Sequence, residues 1–153
     1  MAVAKTYDEM ADRNQYLGDS TQVLNDLKGF GSVWMQPAFI DLKEGGDTFW
    51  LIVARMGEEW DWIHNTNFIF LIDGERFMGV GDIHKHEVLR ETDGYIYEEI
   101  HCGGDLEILK LLANCKSAKF RLGEKDFVLE PSILADIKGI YEEIKSNGGY
   151  GLD

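Results

Sequence analysis

Two imidazoles and a carboxylate fall within five residues at Asp82-Ile83-His84-Lys85-His86. Side chains of an extended chain alternate between faces with a period of two, so Asp82, His84 and His86 are expected on one face. Neutral imidazoles and a carboxylate can hold a divalent metal, zinc or iron, and leave a coordination position open. His64 or His101 would add a ligand from a neighbouring strand. The competing reading is an exposed strand end after the Gly79-Val80-Gly81 break, where histidines decorate the surface. An HxH pair alone does not separate the two.

A second candidate is His101-Cys102-Gly103-Gly104-Asp105, just before an expected helix start. Helix N-terminal N–H groups favour a thiolate, which makes Cys102 a candidate nucleophile. A phosphate-gripping loop would place an arginine six residues after the cysteine, and Ile108 stands there. The neighbouring acids Glu98, Glu99 and Asp105 would repel an anionic substrate and raise the thiol pKa. The alternative is a small buried cysteine in a strand-to-helix turn. A third group is Glu58, Glu59 and Asp61 beside Trp60 and Trp62. Alternation would put both tryptophans on one face and Glu59 and Asp61 on the other. Paired carboxylates with an aromatic platform suit a sugar site; a strand with one buried aromatic face and one wet acidic face suits the same pattern.

Other chemistry is excluded by spacing. There is no GxxxxGK[ST], no GxGxxG between strand and helix, no GxSxG, no HExxH and no CxxC. The two cysteines, Cys102 and Cys115, make no disulfide scaffold, and the first residues carry no apolar stretch of signal-peptide type. A cytoplasmic location is therefore expected, with no membrane contact.

Charge gives the other lead. Asp and Glu number 28 against 15 Lys and Arg, a net charge of −13. Residues 33–105 alone hold fifteen acids against five bases. Nucleic-acid binding through a basic footprint does not fit this balance, nor does an anionic membrane. A basic protein partner does. Glu58, Asp73, Glu75, Glu91, Asp93, Glu98 and Glu99 are the expected contact acids, since they fall at strand ends and turns.

The elements that must position these residues follow from apolar spacing. Residues 6–17 and 20–28 read as two short helices, the second capped by Ser20, with Val23, Leu27 and Phe30 at helical spacing. Residues 33–42 read as a strand in which Pro37 argues for an edge or a bulge. The run 48–55 reads as a strand covered on both faces. Residues 67–72 and 75–80 flank Asp73-Gly74, a hairpin signal of type I′, and are expected in the same sheet as 48–55. Residues 94–100 make a further strand. Asp105 caps a helix over 105–114, a hairpin follows around Gly123, and a closing helix spans 132–146 with Ser132 as cap and Asn147-Gly148 as stop.

The expected fold is α+β, a single domain over 1–153. A helical segment, 1–32, precedes a curved antiparallel sheet of five to seven strands with helices on one face. A small open barrel plugged by the last helix is the alternative. The expected function is a non-enzymatic interaction module of immunity, adaptor or inhibitor type, needing no cofactor and acting on a basic partner. The alternative is a metal-dependent enzyme or metal binder using Asp82, His84 and His86.

Overall fold

The computed structural model describes residues 3–9, 13–42, 48–89 and 94–146. The expected turn at 43–47, the stop at Asn147-Gly148, and the acids Glu91 and Asp93 lie outside the described residues. Eleven strands and two helices are described, in two antiparallel sheets rather than one. The larger sheet is open, so the barrel alternative is not met. No described helix is long and apolar enough to cross a membrane.

The N-terminal region corrects the sequence reading. It holds β1 (Ala4–Asp8), β2 (Arg13–Leu17) and β3 (Thr21–Asp26), and no helix among the described residues. The helical spacing of Val23, Leu27 and Phe30 spans only two turns, and helices that short are marginal in water. What decides their conformation is β4 (Gly31–Leu42), whose edge accepts β2 along Ala38–Leu42 and β3 along Gly31–Met35. The chain crosses between these partners at Gly18–Ser20, beside Pro37. Gly18 N donates to Pro37 O (2.9 Å), so the missing Pro37 N–H faces this same break in the ladder. Pro37 therefore sits inside a central strand at the one place where that side of β4 is unpaired. Past β3, the Asp26 carboxylate accepts from Phe30 N (3.1 Å) and holds the turn into β4.

On its other side β4 pairs with β5 (Thr48–Gly57), which pairs with β9 (Tyr95–Gly104), which pairs with the edge strand β8 (Asp82–Leu89). Phe49, Leu51 and Val53 are fully buried on the inner face of β5, while Trp50, Ile52 and Ala54 on the outer face are half-buried. The expectation of cover on both faces is corrected, because the helices and second sheet join the core on the inner side only. That core runs from Val33, Met35 and Phe39 through Ile100 and Cys102 to Leu109, Phe120 and Ile137.

The second sheet contains β6 (Asn67–Ile72), β7 (Glu75–Val80), β10 (Ala118–Leu122) and β11 (Lys125–Val128), in the order β11-β10-β6-β7. Residues 67–72 and 75–80 thus form the expected hairpin, but in a different sheet from β5. Asp73 (φ 47°) and Gly74 (φ 89°) both take the positive φ of a type I′ turn. The Asp73 carboxylate also accepts from Lys116 N and Ser117 N, tying this turn to the entry of β10.

Helix α1 (Leu106–Asn114) starts as expected, with Asp105 accepting from Ile108 N (3.0 Å). Helix α2 (Pro131–Ser146) begins one residue earlier than expected. Pro131 is its first residue, where a missing N–H costs nothing, so Ser132 lies inside the helix and is not its cap. The stripe Ile133, Ile137, Ile140 and Ile144 is buried, as its spacing requires.

Candidate functional site

The outer face of the large sheet is built by alternate residues of four neighbouring strands. Ladder register sets rows across it, among them Ser32–Met56–Tyr97–Glu87, Trp34–Ala54–Glu99–Lys85, Gln36–Ile52–His101–Asp82, and Ala38–Trp50–Gly103. Gly103 is a packing requirement. A Cβ there would lie 2.6 Å from the Trp50 ring, so the ring lies over bare backbone. Trp50 also meets the His101 ring, tilted at 55° with centroids 6.1 Å apart.

At the centre of the face, Glu99 is held from three sides. His101 Nε2 lies 2.8 Å and His84 Nε2 3.6 Å from its Oε2, and the Tyr97 hydroxyl donates to its Oε1 (2.8 Å). The His84 and His101 rings stack, with centroids 4.2 Å apart and planes 14° from parallel. Burial pushes the Glu99 carboxyl up, but the bonds from His101 and Tyr97 outweigh it, so its pKa falls below the ordinary carboxylate value. Burial, then the bond to Glu99, pushes the Tyr97 phenol well above its usual range, so it remains a protonated donor. Two shallow clefts adjoin here. One of about 550 Å³ lies along Trp34, Met56, Glu87 and Tyr97. One of about 530 Å³ lies along Ile40, Trp50, Ile52, Asp82 and His101.

The expected trio Asp82, His84 and His86 is split. The register shifts between Ile83 and Lys85, so Lys85 rather than His84 pairs with Glu99. This bulge keeps Asp82 and His84 on the outer face but inverts the alternation after His84. His86 falls opposite Glu98 and turns to the other face, where its ring meets Trp60 edge-on at 6.3 Å. Among the described residues, the group whose ligating atoms converge, all within 4.8 Å of one another, is His84, Glu99 and His101. His101 was in view from sequence; the part played by Glu99 was not. The signal was the alternation Tyr97-Glu99-His101 against Ile96-Glu98-Ile100, visible only once the strand is carried past residue 100 to Gly104.

Cys102 is not at a helix N-terminus. It lies on the inner face of β9, opposite Leu51 and fully buried, and burial raises its thiol far above the thiolate range. The geometry offers no activated nucleophile at this position. The stretch from Glu58 to His64 is not an extended strand either. Trp62 to His64 form a 3-10 turn, Trp62 is fully buried and Trp60 half-buried, so the two tryptophans share no platform.

The expected contact acids are also dispersed. Glu58 is exposed beside Lys28 (3.8 Å), Asp73 and Glu75 flank the β6–β7 turn of the other sheet, and Glu99 lies on the outer face. Glu98 is no surface group at all. It is 0% exposed, pairs with Arg55 Nη1 (2.6 Å) and accepts from Asp61 N and Ile63 N. Arg55 in turn donates to Phe30 O and Glu59 O. This pair joins the β3–β4 turn and the β5–β6 loop to β9. Comparison with protein-family models, with curated proteins and with solved structures gives no match.

Proposed function

We propose that the chain is a non-enzymatic interaction module, of the kind that serves as an immunity protein, adaptor or inhibitor, and that it binds a basic protein through the outer face of its seven-stranded sheet. The observation that carries this reading is the content of that face. Trp34, Trp50, Ile52, Met56 and Tyr97 are half-buried there, around two adjoining clefts. Aromatic and apolar side chains on a rigid scaffold are the usual anchors of protein recognition. Asp82, Glu87 and Glu99 stand among them with Lys85 as the cation of the same rows. Tryptophan faces and carboxylates together suit lysine and arginine side chains. The net charge of −13 adds a long-range field that attracts a basic partner, and it needs no single acidic patch to do so.

The test is capture of a partner by the tagged chain, followed by binding measurements with the identified protein. Trp50→Asp and Ile52→Asp are expected to abolish binding, while Met78→Asp, on the exposed edge strand of the other sheet, leaves it intact. Binding should weaken steeply between low and high salt, mainly through the on-rate. A partner that is lost with Met78→Asp and kept with Trp50→Asp would overturn the assignment of the face. A partner that is acidic, or indifferent to ionic strength, would overturn its chemistry.

A further inference from the structure

We infer that His84, Glu99 and His101 form a site for one divalent transition-metal ion, for which Zn²⁺ is the natural probe. The three residues come from two neighbouring strands, and their ligating atoms already face one another. Around a tetrahedral zinc with bonds of roughly 2.0–2.1 Å, ligand atoms stand about 3.3 Å apart. The observed separations from Glu99 Oε2, 2.8 Å to His101 Nε2 and 3.6 Å to His84 Nε2, bracket that value. An ion would replace the contact between His101 Nε2 and Glu99 Oε2, and each imidazole nitrogen that binds it must be free of its proton, which the other ring nitrogen of a neutral imidazole can carry.

The surroundings suit this role. Tyr97 binds the far oxygen of Glu99 and fixes the orientation of the carboxylate, as an outer-shell partner does for a metal ligand. Trp50 lies against His101 and limits its ring. His84 is half exposed at 51%, next to the cleft beside Trp50, so an ion has an entry path and a free position pointing to solvent. Two imidazoles with one carboxylate and an open position match zinc or non-haem iron ligation. The stacked imidazoles would open slightly as their nitrogens turn toward a common centre.

This site lies on the face assigned above to protein binding, but the inference does not rest on that assignment, and its test involves no partner. Chelator-treated full-length chain is titrated with Zn²⁺ by calorimetry, and with Co²⁺ by visible absorption. One equivalent is expected, with nitrogen and oxygen ligation in the Co²⁺ spectrum. His84→Ala and His101→Ala should each remove measurable binding. Tyr97→Phe should weaken it by roughly 10–100-fold while leaving the stoichiometry at one. His86→Ala and His64→Ala should change nothing. His84 is exposed enough that its alanine variant folds, which circular dichroism checks. The inference is overturned if the wild-type chain takes up no equivalent, or if His84→Ala binds as wild type. It is overturned equally if His86→Ala removes binding, which would return the site to the Asp82–His86 motif.

Discussion

Glu98 and Glu99 are neighbours in the chain and differ in almost every physical respect. The pleat of β9 sends Glu98 inward, where Arg55 and two backbone N–H groups meet it. It sends Glu99 outward, where two imidazoles and a phenol meet it at the edge of an open cleft. The inner carboxylate joins backbone segments from three parts of the chain. The outer one is surrounded by partly exposed side chains. A carboxylate held by a buried arginine and backbone N–H groups is committed to the fold; one held by side chains at an exposed face is available for a ligand.

The largest expected effect tests that contrast directly. Glu98→Ala strands Arg55 in the core without its counter-charge and orphans two N–H groups, for a loss of about 3–5 kcal/mol. Glu99→Ala, on the outer face, should cost about 1 kcal/mol or less. Urea denaturation of both variants gives the ratio, and equal losses would erase the distinction between the faces. The double variant Arg55→Met/Glu98→Leu sharpens the point. If the pair only balances charge, this swap should restore stability. We expect it not to, because the groups the pair now satisfies, at Phe30, Glu59, Asp61 and Ile63, stay unpaired.

A change far from either carboxylate sets the scale. Gly74→Val forces a β-branched residue into positive φ and should cost roughly 1 kcal/mol or more, read as a lower melting temperature. An unchanged melting temperature would show that the turn can adopt another form.

Acid titration separates Glu99 from a further carboxyl, Asp136, by sign. The Glu99 pKa is lowered in the fold, so its stabilisation is present above the unfolded value and is lost as pH falls through the folded value. Asp136 on α2 is 1% exposed, and burial raises its pKa even though its Oδ2 accepts from Asp19 N (2.9 Å). A raised carboxyl acts in the opposite sense: the fold loses stability as pH rises from the unfolded value through the folded one. Asp136→Asn should therefore raise the melting temperature at pH 7, with a gain that shrinks toward pH 4. A gain of the same size at both pH values would count against the titration of Asp136 as its source. The smallest effect belongs to His84→Ala, expected within about 0.5 kcal/mol of wild type in metal-free buffer because the side chain is exposed.

Much of the framework was legible from local chemistry. Asp73-Gly74 demanded a hairpin because positive φ is tolerated there. Asp105 demanded a helix start because its carboxylate can take the orphaned N–H of Ile108. The isoleucines of α2 recur at the spacing of one buried stripe, and β5 reads as a strand from its apolar run. The N-terminal strands are not legible in this way, because their short periodicity is compatible with two conformations and only pairing along the edge of β4 selects one.

The site was legible in its parts and not in its assembly. The histidines announced themselves by type, yet the ladder pairing of β8 with β9 inserts one unpaired residue, and that single bulge moves His86 to the opposite face from His84. Nothing within Asp82–His86 specifies it. The same pairing sets Glu99 between His84 and His101, and the same pleat removes Glu98 from the surface. Local sequence determined which residues turn, cap and alternate, because those preferences act within a few bonds. Tertiary structure decided which strands lie side by side and in what register, because those choices depend on the core that all the strands share, and register alone settles which side chains meet.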